Sequence, residues 1–288
     1  MEYLYIIIAM SSSALLSIMS SAFGKQNKDV KNTSSLYSAI VTAAALVSWL
    51  VIFLFDTEFD VGVIPYSIGY GVSYTVAMVG MFKAYQVGSV SLTAFVKNLS
   101  LVGVAFWGFL FWKTPIEINI IIGIILIVVA LYLCFRSGKD EKVSLSLKWI
   151  LFASMLLVGN AGCSIIQKYQ QMAFDEKYKN AFMVLGVAIS FIVCLGFLFF
   201  GQRCKLRDVK KASLVYPIVG GVSSALLNLL ILLLISTSLS ESIIFPGIAV
   251  GGLILTILFS TVFYREKISP YRWTGLFIGA IALVFLNL

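Results

Sequence analysis

One basic residue lies inside an apolar stretch, where a charge is costly. Lys97 occurs in the segment TAFVKNLSLVG, and in a helix it would lie on the order of 12 Å from the end of the run. A cation at the centre of a membrane helix costs about 2.5–3.5 kcal/mol on insertion scales and usually faces a bundle interior. Lys97 therefore predicts a binding site for a carboxylate or phosphate. In the alternative interpretation its stem extends to the membrane surface and the residue has no role.

Other polar side chains also lie within apolar runs. Tyr66, Tyr70 and Tyr74 are spaced by four, so a helix places them on one face that could stack flat solutes or simply pack. Two further apolar runs each have an asparagine near the middle, and its amide needs a hydrogen-bond partner in hydrocarbon. The predicted solute-binding residues are Lys97, its neighbour Asn98, Tyr66, Tyr70, Tyr74, Asn160 and Asn228.

Serines follow one face of the first apolar run. They are Ser13, Ser17, Ser20 and Ser21. Serines in membrane helices usually allow close packing or bond across helices. We therefore interpret them mainly as packing positions.

The composition indicates that these residues lie in membrane-spanning helices. The chain is 60% hydrophobic and 12% charged, whereas a soluble domain typically has about 25% charged residues. Its apolar runs are close to the roughly 20 residues that a spanning helix needs. We predict an all-α integral membrane protein of ten transmembrane helices. The predicted spans are 3–23, 36–55, 63–86, 89–112, 116–135, 147–172, 181–200, 213–236, 239–264 and 270–288.

The second half of the chain resembles the first half when the sequence is shifted by one fixed number of residues. With this shift, Pro65 aligns with Pro217 and Gly69 with Gly221. Because each half has an odd number of spans, the two copies would be inverted, as is common in secondary transporters. The predicted five-helix repeats are residues 1–138 and 139–288.

Basic residues concentrate in four short polar segments on one side of the predicted spans. These segments are 25–34, 136–148, 203–211 and 265–272. The positive-inside rule makes that side cytoplasmic and places both termini outside the plasma (inner) membrane of a multi-pass protein. Because the positive charge is not gathered in one patch, we predict no nucleic-acid partner.

The chain lacks the usual groups of catalysis. Histidine is absent, and there is no CxxC, no GxxxxGK[ST] loop and no carboxylate pair within a span. We therefore predict that the protein is not an enzyme and has no catalytic residues, metal or cofactor.

Two segments resemble a known family. AYQVGSVSLTAFVKN and the residues following it to 133, and LISTSLSESIIFPGIAVGG with those to 286, look like the two EamA repeats of the drug/metabolite transporter superfamily. Arg265, Glu266 and Gly275 match the second repeat, and Pro246 stands where the family often has a helix proline. The first repeat departs, since Ala94 replaces that proline and WKTPIE lacks the acidic–basic pair.

The resemblance implies a ten-helix transporter with a central cavity lined mainly by the first, third, fourth, sixth, eighth and ninth of the predicted spans. It also implies cytoplasmic termini, opposite to the distribution of basic residues. It does not select a solute.

Lys97 favours secondary transport, by alternating access, of a small polar organic solute such as an amino acid or a similar anionic or zwitterionic metabolite. The alternatives are an exporter of drugs or organic cations and a flippase for a lipid-linked sugar. The expected partners are a small-molecule solute and the lipid bilayer, with monomer and homodimer both left open.

Overall fold

The computed structural model describes residues 2–30, 32–112, 118–135, 146–175, 177–200, 204, 208–235, 241–265 and 268–285. Within them the chain forms eleven α-helices and no β-strand. The helices are α1 Glu2–Gln26, α2 Thr33–Phe53, α3 Ile64–Val87, α4 Val90–Asn98, α5 Ser100–Phe111, α6 Ile118–Phe135, α7 Leu147–Ala173, α8 Lys179–Phe200, α9 Val215–Ile235, α10 Glu241–Phe263 and α11 Pro270–Phe285. The side chain of Pro246, residue Glu266 and much of the basic segments 136–148 and 203–211 lie outside this description.

The all-α prediction is confirmed, and each predicted span coincides with a helix except the fourth, which coincides with two. The prediction of one helix over 89–112 is wrong, because α4 ends at Asn98 and α5 begins at Ser100. Five described helical segments are long and apolar enough to cross a membrane by themselves. They are Glu2–Gln26, Thr33–Phe53, Leu147–Ala173, Lys179–Phe200 and Lys211–Leu234. The ten crossings and the inverted repeat remain predictions.

Helix α6 shows which solvent surrounds the helices. Its exposed side chains recur at intervals of three and four residues and are almost all apolar. They are Ile118, Ile121, Ile122, Ile125, Val128, Val129 and Tyr132. Ala130 and Ile127 on the other side are buried. A continuous stripe of large apolar side chains is unfavourable in water and suits contact with lipid. The chain is an integral membrane protein.

Contacts divide the chain into two compact units, and each takes segments from both predicted repeats. One unit comprises Met1–Ile18, Gly88–Ser146 and Leu226–Leu288. The other comprises Met19–Val87 and Leu147–Ala225. We call the first the lysine unit and the second the tyrosine unit, after Lys97 and Tyr70. The repeat boundary at 138 stays a prediction, because a repeat describes sequence and a unit describes packing.

The lysine unit packs α6 against α11, and α10 against both α4 and α11. One apolar cluster joins the first half of α1 to the C-terminal part of α9 and the beginning of α10. Its buried members are Ile6, Ala9, Leu230, Leu234, Ile244 and Ile248. Gly279 of α11 lies directly against the ring of Phe95 in α4. These contacts fix α4, which carries Lys97.

The tyrosine unit packs α3 against α7 and α8, and α2 against α8. Its helices approach so closely that glycines meet backbone atoms. A Cβ on Gly159 would lie 2.5 Å from Ala77 N, and one on Gly80 would lie 2.6 Å from Leu156 N. Small residues allow such close approach, which drives association where lipid removes the hydrophobic force between helices.

We expect Gly159→Ala to destabilise the protein, because the added methyl group overlaps the α3 backbone. Overpacking of this kind typically costs about 1–3 kcal/mol. Gly196 in α8 is the matched control, since nothing lies within 4 Å of a Cβ built there. Gly196→Ala should be neutral or slightly stabilising, because alanine favours helix over glycine. Thermal unfolding in detergent measures both, and equal stability of the two variants would contradict the packing described.

Cys204 offers a natural reporter of orientation. It lies in the polar segment between α8 and α9 and is partly exposed. Burial, and next the Asp208 carboxylate, raise the pKa of its thiol. Because the thiolate is the reactive form, a raised pKa means a smaller reactive fraction at neutral pH. Two other cysteines, Cys163 and Cys194, lie within the helices α7 and α8.

We expect an impermeant maleimide to label Cys204 in inside-out vesicles but not in intact cells, as the distribution of basic residues predicts. The labelling rate should rise with pH, and the midpoint of this rise should lie at a higher pH than the midpoint for a free cysteine peptide. Asp208→Asn should increase the rate at neutral pH by lowering the thiol pKa. Cys204→Ser gives the background. Labelling in intact cells would instead place this segment outside.

Candidate functional site

Helix α4 is short and places Lys97 in its last turn. Ser89 begins it by accepting a hydrogen bond from Leu92 N at 3.1 Å. The helix ends at Asn98, and the Ser100 hydroxyl donates to the Lys97 carbonyl at 2.8 Å. This bond satisfies a carbonyl at the interruption. The C-terminal end of a helix carries partial negative charge, which favours a cation such as Lys97 in that turn.

The amine of Lys97 is bound by three oxygens of α1. Nζ donates to Ser13 Oγ at 2.9 Å, to Ser13 O at 3.3 Å and to Ser17 Oγ at 3.4 Å. Both serines are buried and lie in the middle of a 25-residue helix. The amine is therefore directed at the middle of α1 and not toward an end, which disagrees with the surface-extending alternative for Lys97.

The oxygens that hold Lys97 among the described residues are neutral. Two are hydroxyls and one is a main-chain carbonyl. These three oxygens match the three donors of an ammonium group in number but supply no negative charge. Gly252 of α10 is close to the same place, since a Cβ there would lie 3.2 Å from Ser13 Oγ. The site is thus built from α1, α4 and α10.

Ser13 and Ser17 are the residues that sequence reasoning placed in the wrong role. We interpreted them as packing positions, whereas their oxygens bind the amine of Lys97. Two signals could have found them. They are one helical turn apart on one face of the first predicted span, and a lone cation in a span must find oxygen acceptors.

Asn98 does not share the partners of Lys97. Its Nδ2 donates to Ala94 O at 3.0 Å, within its own helix. Neighbouring residues in a helix point about 100° apart, so this difference follows from local geometry. Asn228, also in the lysine unit, is half-buried in α9.

In the tyrosine unit, Tyr70 and Tyr74 form a stacked pair with ring centroids 5.8 Å apart. The Tyr74 hydroxyl hydrogen-bonds Ser224 Oγ at 2.8 Å, and Tyr70 meets Phe182 edge to face. Tyr66 is only partly buried and its ring contacts Phe174. The structure therefore brings Tyr70 and Tyr74 together and gives Tyr66 a different neighbour. Asn160 is half-buried in α7.

Residues that the predicted repeat aligns with one another have different surroundings in the structure. Tyr70 and Tyr74 are 2% and 5% exposed, whereas their counterparts Val222 and Leu226 are 48% and 37% exposed. The aromatic pair thus belongs to one half of the chain only. Whether any of these predicted residues binds a solute stays a prediction.

We expect Ser13→Ala to lower the stability of the protein, because Lys97 loses its shortest hydrogen bond. Bonds to charged groups contribute about 1.5–3 kcal/mol. In a Lys97→Met background the same change should cost much less, since the pair interaction is already lost. Ser11→Ala is the control, because the Ser11 hydroxyl bonds only the Ile7 carbonyl of its own helix. Thermal unfolding of the four variants measures the coupling, and equal costs in both backgrounds would contradict the contact.

Comparison with solved structures shows what the fold resembles. A protein described only as "Crystal structure of protein" superposes with a TM-score of 0.66, over 99% of this chain and 95% of that one, at 10% sequence identity. At that identity the likeness concerns the fold alone. No curated protein matches the sequence.

A family match covers slightly less than half of the chain. Residues 1–136 match the EamA-like transporter family, whose members are generally not enzymes. This range contains α1–α6, and with them Lys97, its serine partners and the three tyrosines. Through residues 1–136 the chain is thus similar to the EamA-like transporter family, which is part of the drug/metabolite transporter superfamily.

Proposed function

We propose that this protein is a secondary transporter for a small anionic or zwitterionic organic solute, such as an amino acid, and that Lys97 binds the solute's carboxylate. The observation that carries the proposal is the set of neutral oxygens around the Lys97 amine. A cation whose partners among the described residues are all neutral retains electrostatic attraction for an anion.

The Lys97 amine has partners in both the empty and the loaded state. An entering carboxylate adds a Coulombic attraction that the neutral oxygens of Ser13 and Ser17 do not supply, so it competes well with them for the amine. After the solute leaves, the same serines bind the amine again. Lys97 therefore never remains an unpaired charge in a medium of low dielectric, where that state is most costly.

Helices α4 and α5 meet at Leu99, two residues after Lys97. Transporters commonly place their solute between discontinuous helices, whose ends supply partial charges and free main-chain groups. Leu99 has φ −65° and ψ −13°, so the break requires little distortion of the chain. We include alternating access in the proposal, resting on the family and the predicted inverted repeat.

The proposal favours an anion over a drug cation. No Asp or Glu lies in the middle of any predicted span, whereas an exporter of cations needs a counter-charge at its site.

A lipid-linked solute is the second candidate, and one pocket favours it. The pocket in the tyrosine unit has a volume of about 210 Å³ and is lined mainly by apolar residues, among them Val72, Val76, Met155 and Phe197. An apolar pocket of this kind suits part of an acyl or isoprenoid chain.

We expect a carboxylate solute to stabilise the purified protein and to be taken up by proteoliposomes. A screen of amino acids, sugars, nucleosides, organic acids and quaternary cations by thermal shift identifies the class. A ligand at about 100 times its Kd adds roughly 2.7 kcal/mol of stability. Labelled counterflow then measures transport of the ligand that is found.

Lys97→Ala should abolish both effects, and Lys97→Arg should retain part of them because the charge remains. Lys148→Ala is the control, since Lys148 is an exposed cation at the start of α7. A Lys97→Ala protein that expresses normally and transports at the wild-type rate would refute the site. If lipophilic cations alone stabilise the protein, drug export is favoured. If lipid-linked sugars alone stabilise it, the flippase alternative is favoured.

A further inference from the structure

A second lysine within a predicted span received no role from the sequence. Lys83 lies in the last part of α3, and its Nζ is 5.2 Å from the centroid of the Phe152 ring in α7. It lines a cavity of about 370 Å³ that lies wholly within the tyrosine unit. The cavity is distinct from the neighbours of Lys97, which lie in the lysine unit.

The cavity is lined by two lysines and four uncharged polar residues as well as by the apolar residues Val30, Val87 and Phe152. Lys28 joins Lys83 in lining it, together with Asn32, Thr33, Ser34 and Gln86. The described lining residues include no acid; Asp29 is the acid nearest in sequence and is exposed. The cavity therefore has two positive charges and several hydroxyl and amide groups.

Several contacts hold these groups in place. Gln86 Nε2 donates to Thr33 Oγ1 at 2.9 Å, which joins the end of α3 to the start of α2. Asn27, next to Lys28, is buried, and its side chain bonds Ser213 Oγ at 2.9 Å and Lys210 N at 3.2 Å. The segment that carries Lys28 is thus anchored and not free in solvent. Preorganised donors lose less entropy when they bind a ligand.

The chemistry of the lining selects the ligand class. Lysines and hydroxyl groups are common ligands of phosphate, and α2 begins at Thr33, so the positive end of its dipole lies at the same cavity. Basic pockets between helices at the charge-rich side of a membrane protein bind anionic lipid headgroups. The volume also accommodates a phosphate ester of a small alcohol.

We infer that the cavity lined by Lys28 and Lys83 binds a phosphate monoester group, carried either by an anionic lipid or by a soluble phosphate ester. This site lies outside the proposed transport site, and it does not depend on what the protein transports.

Two probes distinguish the sources. Dioctanoyl phosphatidic acid carries the group on a lipid, and glycerol 3-phosphate carries it on a soluble alcohol. Binding to the full-length protein in neutral detergent is measured by native mass spectrometry and by thermal shift, with dioctanoyl phosphatidylcholine as the zwitterionic control. Binding of phosphatidic acid alone indicates a headgroup site, and comparable binding of both probes indicates a site for soluble esters as well.

Lys28→Gln with Lys83→Gln should weaken binding of the effective probe at least tenfold. Lys28→Gln alone, at an exposed residue that should not disturb folding, should weaken it several-fold. Lys25→Gln is the matched control, since Lys25 is exposed on the same segment and does not line the cavity. The inference is overturned if neither probe binds, if phosphatidylcholine binds equally, or if Lys25→Gln weakens binding as much as Lys28→Gln.

Discussion

The lysine unit depends on one electrostatic constraint: a cation inside a membrane helix must find oxygen. Lys97 meets it with the Ser13 and Ser17 oxygens of α1, at the end of a helix whose dipole also favours positive charge. The contact lies near the C-terminal end of the short α4, and Gly252 of α10 approaches Ser13 at the same place.

In the tyrosine unit, neutral hydroxyl groups and close packing provide several of the contacts between helices. Hydroxyl pairs such as Tyr74–Ser224, Thr75–Ser190 and Ser20–Tyr37 join helices at distances of 2.6–2.8 Å. Glycines bring the backbones of α3 and α7 into contact around them. Neutral hydrogen-bonded pairs and close helix packing stabilise this unit, whereas the lysine unit contains a charge whose partners can be exchanged. This difference is why the proposed solute site is assigned to the lysine unit.

Family and fold alone do not name the solute, since one fold serves many functions and the site decides among them. The EamA-like match over residues 1–136 indicates a transporter of the drug/metabolite superfamily, and the likeness to a solved structure concerns the fold alone. The chemistry particular to this chain lies in single residues. Lys97, the lack of mid-span carboxylates and the Lys28–Lys83 cavity together favour anions at two separate places.

The sequence by itself determined where the helices lie, because a run of apolar residues of spanning length can satisfy its backbone in lipid only as a helix. It also singled out Lys97, because the free-energy cost of a charge depends on how deep it lies within an apolar run, and that depth can be read from the sequence. It missed the boundary between α4 and α5 at Leu99. Only the tertiary structure decided that Ser13 and Ser17, 84 and 80 residues away in the chain, hold the amine. It also decided that Tyr74 is buried while its repeat counterpart Leu226 is exposed. Partners between helices depend on packing angles and rotation, which a hydropathy pattern does not encode.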